Sequence, residues 1–350
     1  MAEPPAKARV TIRDVAAEAG VSKSLVSLVY SSPSQVSERN RRLVLDTGRR
    51  LGFRPNWAAR SLAAADGGFV GILMADLHSP AFAEIIDGAR SRLKAAGHVA
   101  LMTSASAHPR VERAALDPDA VTFFGDLRPS ALLVVGEVDD MSAVHPLISS
   151  VPTVLAGASF DTESVRAVVR TDNHAGMHSV VEHLASSGHR RIAHIGGAGG
   201  HVAELRAQAY RDAMHAHGLG VETIVEAADF THASGVAATR RLLETEPDVT
   251  AIVAVSDHTA IGALGALSSC ARDGVAVVGY GDIEVAAFDY IDLSTVRPDN
   301  NTIGTRAADE LLDAMTSART ETHEVLIPTE LIVRGTSRGR SPSPRQTSER

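Results

Sequence analysis

Three groups of residues in this 350-residue chain have types and spacing that could do chemistry. Gly196-Gly197-Ala198-Gly199-Gly200 lies between a strand pattern and a helical pattern, where a phosphate-binding loop would sit. It lacks the GxGxxG register, and the chain has neither a P-loop lysine motif nor a GxSxG nucleophile elbow. His174 and His178 stand four apart with His183 nearby, and histidines at that spacing on one helix can chelate a metal. No HExxH accompanies them, so no metal and no cofactor is expected. The third group is Ser22, Lys23, Ser24 and Ser27, hydroxyl and ammonium donors suited to base edges and phosphate oxygens.

The elements around that third group fit such a role. Thr11-Ile12-Arg13-Asp14 reads as a capping box, and Ile12, Val15, Ala16 and Ala19 recur at helical spacing behind it. Gly20-Val21-Ser22 breaks the helix, with Ser22 placed to cap the next. That second helix, 23–30, should bury Leu25, Val26 and Val29 and leave Lys23, Ser24, Ser27 and Leu28 outward. A third helix beginning at Ser37 should turn Leu43, Val44 and Leu51 inward and Arg39, Arg42, Arg49 and Arg50 outward. Two short helices around a turn with a supporting third form a helix-turn-helix unit.

Charge divides the chain in the same place. The net charge is −8, yet residues 1–65 hold eleven Lys/Arg against five Asp/Glu, giving +6 and leaving −14 for the rest. A basic head on an acidic body is the asymmetry expected when one module meets phosphate and the other does not. The N-terminal residues MAEPPAKARVTIRD lack the apolar core of a secretory signal. No apolar run approaches the ~18–20 residues of a membrane span. The lone Cys270 has no internal disulfide partner. These features point to the cytoplasm, at the nucleoid, with no membrane partner.

From Gly68 onward short apolar runs alternate with helical patterns. Strands are expected at 70–74, 99–103, 131–135, 153–155, 168–171, 192–195, 251–255 and 275–279, and helices at 82–96, 175–187, 204–217, 233–245 and 260–270. Strands this apolar on both faces belong to parallel sheets covered by helices. A stretch this long suits two doubly wound α/β lobes better than one sheet.

The strings TIRDVAAEAGVSKSLVSLVY, VSERNRR and LGFRPNWAARSLA resemble the lactose/galactose repressor (LacI/GalR-type) family of bacterial transcription regulators. The resemblance continues through VVRTDNHAGMHSVVEHLASSGHRRIAHIGG, VVGYGDIEVAAF, STVRPDNNTIGTRAADELL and PTELIVRGTS. It implies an all-α helix-turn-helix headpiece (1–54), a hinge helix (55–66) and a periplasmic-binding-protein-like body of two lobes. The lobes would be 67–168 with 297–322, and 169–296 with 323–337; the Ser/Pro/Arg-rich tail 338–350 reads as disordered. It implies a homodimer on a palindromic operator in double-stranded DNA, acting as a repressor under a small-molecule effector in the interlobe cleft. The tail carries no leucine heptads for further assembly.

The resemblance also assigns residues. Ser22, Lys23, Ser24, Ser27 and Leu28 would face the major groove, with Thr11 and Asn56 near phosphates. Ala59, Arg60 and the wedge Leu62 would enter the minor groove on a hinge helix too short to be stable alone. The cleft set would be Phe82, Arg206, Phe230, Ser256, Asp257 and Asp282. Five positions depart from the family pattern: Leu25 replaces threonine, Leu28 arginine, Ser31 asparagine, Ser256 asparagine, and Gly281 an aspartate, leaving Asp282 as the acid of GYGD. The departures at 256 and 281 point to an unusual, acidic effector held by Arg206, or to a degenerate cleft with none; Leu28 points to an operator that does not demand guanine opposite it. An α/β enzyme acting on a small metabolite is the remaining reading. A secreted binding protein would need a signal peptide where the helix-turn-helix sits.

Overall fold

The computed structural model describes residues 10–31, 35–54, 68–104, 117–137, 144–158, 164–317 and 321–338. They divide into two compact units, the first ending at Gly68 and the second beginning at Phe69. The hinge segment 55–66, with Asn56, Ala59, Arg60 and Leu62, and all but the first residue of the tail lie outside the described residues.

Among the described residues the first unit holds three helices, α1 (Ile12–Ala19), α2 (Lys23–Ser31) and α3 (Glu38–Leu51). Thr11 and Asp14 form the reciprocal capping box, and the N–H and hydroxyl of Thr11, both donating to the Asp14 carboxylate, hold it below its usual range. Gly20 ends α1 at φ +64, the left-handed conformation glycine adopts without a Cβ clash. The Ser22 hydroxyl then accepts from the Leu25 N–H at 3.1 Å and opens α2. Val15, Ala16, Val26, Val29 and Val44 form the core, with Tyr30 and Phe53 rings tilted together at 5.5 Å beside it. Leu43, expected inward, is 42% exposed. The inward stripe of α3 runs through Val44, Thr47 and Gly48, and residue 43 lies one 100° step off it.

The second unit holds two six-stranded sheets. In the first, strands run β11 (His323–Ile327), β5 (Ala167–Thr171), β4 (Thr153–Ala156), β3 (Ala131–Val135), β1 (Val70–Met74) and β2 (Ala100–Ser104), all parallel. In the second they run β12 (Thr329–Ile332), β10 (Ser294–Pro298), β9 (Ala276–Tyr280), β8 (Ala251–Ala254), β6 (Ile192–Gly197) and β7 (Ile224–Ala228). Only β12 is antiparallel to its neighbour. Helices α4 (Pro80–Ala95), α5 (Pro118–Asp126), α6 (His145–Ile148) and α11 (Asn300–Thr316) belong to the first lobe. Those of the second are α7 (Asn173–Ser186), α8 (His201–Ala216), α9 (His232–Thr245) and α10 (Asp257–Ser269). The central strands are buried on both faces, as their unbroken apolar runs require.

Three boundaries differ from expectation, one of them because β10 runs to Pro298 within the second sheet, past the expected switch at 296. Strand β5 is continuous to Thr171 within the first sheet, past the expected switch at 168. Residues 323–327, expected in the second lobe, pair with β5 in the first. Only Pro328 separates β11 from β12, so one proline sends consecutive strands into different sheets. Among the described residues no helix is long and apolar enough to cross a membrane.

Candidate functional site

On the headpiece the exposed side of α2 presents Ser22, Lys23, Ser24 and Ser27, with Leu28 partly exposed at its margin. Thr11 is exposed, but its hydroxyl donates to Asp14 Oδ2 at 2.8 Å. The arginines of α3 are largely matched within the headpiece: Arg41 and Arg42 pair with Glu38, Arg49 with Asp46 and Arg50 with Glu18. Such exposed pairs add little stability but lower the positive potential of that helix. Among the described residues Lys23 has no ion-pair partner, which leaves its ammonium available to an incoming phosphate.

In the body, the C-terminal ends of both parallel sheets carry the loops where ligands of open α/β folds bind. Phe82 on α4 lies against Gly136, where a Cβ would stand 2.4 Å from the ring. Arg206 on α8 is half-buried; its Nε donates to Asn173 Oδ1 at 3.0 Å and its Nη1 to the Val255 carbonyl at 2.7 Å. Its guanidinium lies 3.6 Å from the Tyr280 ring centroid and 5.9 Å from that of Phe230. Each of these partners is uncharged, so a fixed positive charge stands there on an aromatic platform. Burial pushes the Tyr280 hydroxyl up to about 12, so the ring beneath the guanidinium stays neutral.

Three residues expected in the cleft are already engaged. Ser256 caps α10: its hydroxyl accepts from the Thr259 N–H at 3.2 Å and donates to the Phe230 carbonyl at 3.2 Å. Asp257 is 1% exposed. Thr295 donates to its Oδ1 at 2.5 Å and the Ile283 N–H to its Oδ2 at 2.9 Å, so the carboxylate holds the loop after β9. Asp282 has φ +48 and pairs with Arg297 at 2.6 Å and Arg334 at 2.7 Å. Its carboxylate thus joins the loop to β10 and to the segment after β12. The sequence concealed these roles because Thr295, Arg297 and Arg334 lie far along the chain. Tyr280, Asn173 and the Val255 carbonyl were not singled out; a buried Asn opening a helix after TD was the available signal.

Burial raises the Asp257 carboxyl to about 6, against the opposing pull of the Thr295 and Ile283 hydrogen bonds. Between pH ~4 and ~6 the folded chain therefore binds more protons here than the unfolded chain, and this contribution to stability falls as pH rises. Asp257→Asn removes the ionisation but can still accept from Ile283. Its melting temperature relative to the wild type should rise through that window and level off above it. A constant offset between pH 4 and 7 would contradict the assignment.

The three histidines of α7 do not converge. His174 faces Asp212 at 3.9 Å, His178 packs on the His217 ring at 4.9 Å, and His183 meets the Ser337 hydroxyl at 2.9 Å. His194, expected only as part of a strand, is fully buried with Nδ1 2.9 Å from the Val253 carbonyl; burial depresses it to about 3, so it stays neutral. The glycine run 196–200 ends β6 and leads into α8.

Comparison with known proteins places both units. Residues 11–56 match the family model for bacterial regulatory proteins of the lacI family, and residues 181–337 match a periplasmic binding protein-like domain. The chain is 33% identical over 337 residues to the HTH-type transcriptional regulator CelR of Thermobifida fusca, covering 93% of this chain and 98% of CelR. It is 27% identical to the transcriptional repressor CytR of Escherichia coli K12, covering 94% and 96%. Among solved structures it superposes on a lac repressor dimer bound to operator and the anti-inducer ONPF with TM-score 0.80, at 26% identity over 94% of this chain and 99% of that one. A CelR–cellobiose complex superposes with TM-score 0.65, at 28% identity over 94% and 100%. A helix-turn-helix headpiece, a two-lobe body and this full-length likeness lead to one conclusion: the chain belongs to the LacI family of DNA-binding transcription regulators and is not an enzyme.

Proposed function

We propose that this regulator acts in the cytoplasm at the nucleoid, as a homodimeric repressor on a palindromic operator. In this reading Ser22, Lys23, Ser24, Ser27 and Leu28 meet the major groove, and Thr11 and Asn56 lie near phosphates. Ala59, Arg60 and Leu62 enter the minor groove from a hinge at 55–66. The observation that carries it is the exposed row on α2, backed by an apolar core and opened by the Ser22 cap. A second copy is supported by the apolar edge of the first sheet. There Leu101 and Met102 are exposed on β2, beside Val99 and the exposed Phe123 of α5. The operator-bound lac repressor that the chain resembles is a dimer.

The effector proposed for the cleft is an anionic sugar derivative, with Phe82 and Phe230 as apolar walls and Arg206 as its clamp. The Arg206 guanidinium supports this: its hydrogen-bond partners are uncharged, and the nearby Asp257 carboxylate is taken up by Thr295 and Ile283; so does the glycine at 281 where the family resemblance puts a carboxylate. The resemblance to a regulator solved with cellobiose supports the sugar part.

Site selection from random DNA by the full chain tests the DNA reading, and Leu28 sharpens it. Leucine offers only apolar contact, whereas arginine grips guanine bidentately for ~1–3 kcal/mol of discrimination. The wild type should recover a twofold-symmetric site without a required guanine opposite residue 28. Leu28→Arg should shift that position to guanine by roughly tenfold or more. Unchanged selection by the variant would overturn the docking of α2.

A further inference from the structure

The loop after β3 holds a contact across the cleft that none of the assigned roles uses. Glu137 follows Gly136 at the C-terminal end of a first-lobe strand, yet its carboxylate reaches the N-terminus of α8 in the second lobe. Its Oε1 accepts from the His201 N–H at 2.7 Å and its Oε2 from the Val202 N–H at 3.3 Å. These amides open a 16-residue helix and have no intrahelical acceptor, and the helix dipole favours an anion there. Gly200 makes the approach possible: it holds φ +117, and a Cβ on it would stand 2.7 Å from Glu137 Oε2. A helix start is usually capped by a nearby residue in sequence. Here the cap lies 64 residues away, on the opposite lobe.

We infer that Glu137 is an interlobe latch, a carboxylate of the first lobe that caps α8 of the second and holds the two lobes together. This rests on the reading of the body as an operator-coupled sensor, since only then does lobe spacing reach DNA. The latch sits at the start of the helix that carries Arg206. Lobe separation therefore breaks two charge-assisted hydrogen bonds and strips the cap from the helix bearing the effector clamp.

The test measures the distance between spin labels on the two lobes of the full chain, at Arg90→Cys on α4 and Arg240→Cys on α9, with exposed Cys270→Ser removing the native thiol. In the effector-free protein, Glu137→Ala should lengthen or broaden the distance distribution by several ångströms and change operator affinity at least threefold. Glu137→Gln keeps the size and one acceptor oxygen and should fall between. Glu204→Gln, an exposed carboxylate in the first turn of α8, should match the wild type. A folded Glu137→Ala protein with the wild-type distribution overturns the latch, as does an equal change in Glu204→Gln. Wild-type operator binding, measured alongside, separates the outcomes. If it is present and the distances do not move, the latch alone fails; if it is absent, the regulator reading fails.

Discussion

Val44→Asp should abolish operator binding while leaving the two-lobe body folded. Val44 is 0% exposed in a headpiece core whose other fully or nearly buried members are Val15, Ala16, Val26 and Val29. A unit of this size buries too little apolar surface to carry a large stability reserve. An unpaired carboxylate placed in that core costs several kcal/mol or forces the core open to water. Either outcome removes the support of α2 and scatters the row from Ser22 to Leu28. The lobes have cores of their own and should keep their melting transition. The expected readings are a loss of at least about a hundredfold in operator affinity and an unchanged principal thermal transition. That loss corresponds to ~2.7 kcal/mol or more. Sequence-specific binding within tenfold of the wild type would mean that DNA is read elsewhere.

Gly304→Ala should be the most damaging conservative change in the body. Helices α4 and α11 cross backbone to backbone through Gly88 and Gly304. A Cβ at 304 would stand 1.8 Å from the Ile85 carbonyl oxygen, and one at 88 would stand 2.3 Å from that of Asn301. Neither obstacle is a side chain that can rotate aside, so a helix must move away from a packed core. Overpacking of a well-packed core costs ~1–3 kcal/mol, and a backbone obstacle belongs at or above the top of that range. For ~3 kcal/mol, the melting temperature of the body should fall by roughly 6–12 °C. Gly265→Ala supplies the contrast, because nothing lies within 4 Å of a Cβ on that exposed face of α10. It should be neutral or stabilising by up to ~1 kcal/mol through helix propensity. Equal effects at the two positions would contradict the close crossing. The same device recurs in the second lobe, where Gly235 and Gly262 bring α9 against α10.

Local rules made much of this molecule legible from its sequence. The capping box at Thr11, the turn at Gly20 and the cap at Ser22 depend on neighbours within three residues, and each is found where the spacing puts it. The central strands were legible because burial on both faces leaves an unbroken apolar run. Long-range choices were not. Nothing in HEVLIPTELI says that the residues on either side of Pro328 enter different sheets. Nothing around Asp257 shows that Thr295 will occupy its carboxylate. Glu137 had no local signal to single it out, because its partners are the backbone of a helix in the other lobe. Leu43 was misplaced by a single helical step, a small error on a short amphipathic helix.

In the proposed mechanism a ligand in the cleft sets the affinity of the headpiece for DNA. Titration of the selected operator tests it most directly, for wild type and Arg206→Ala, with and without sugars and sugar phosphates. Two protomers should bind each operator, and at least one sugar phosphate or sugar acid should change the affinity fivefold or more, with that response lost in Arg206→Ala. Binding to the selected site no tighter than to unrelated DNA would rule out this regulation, as would a full response to a neutral sugar that survives Arg206→Ala.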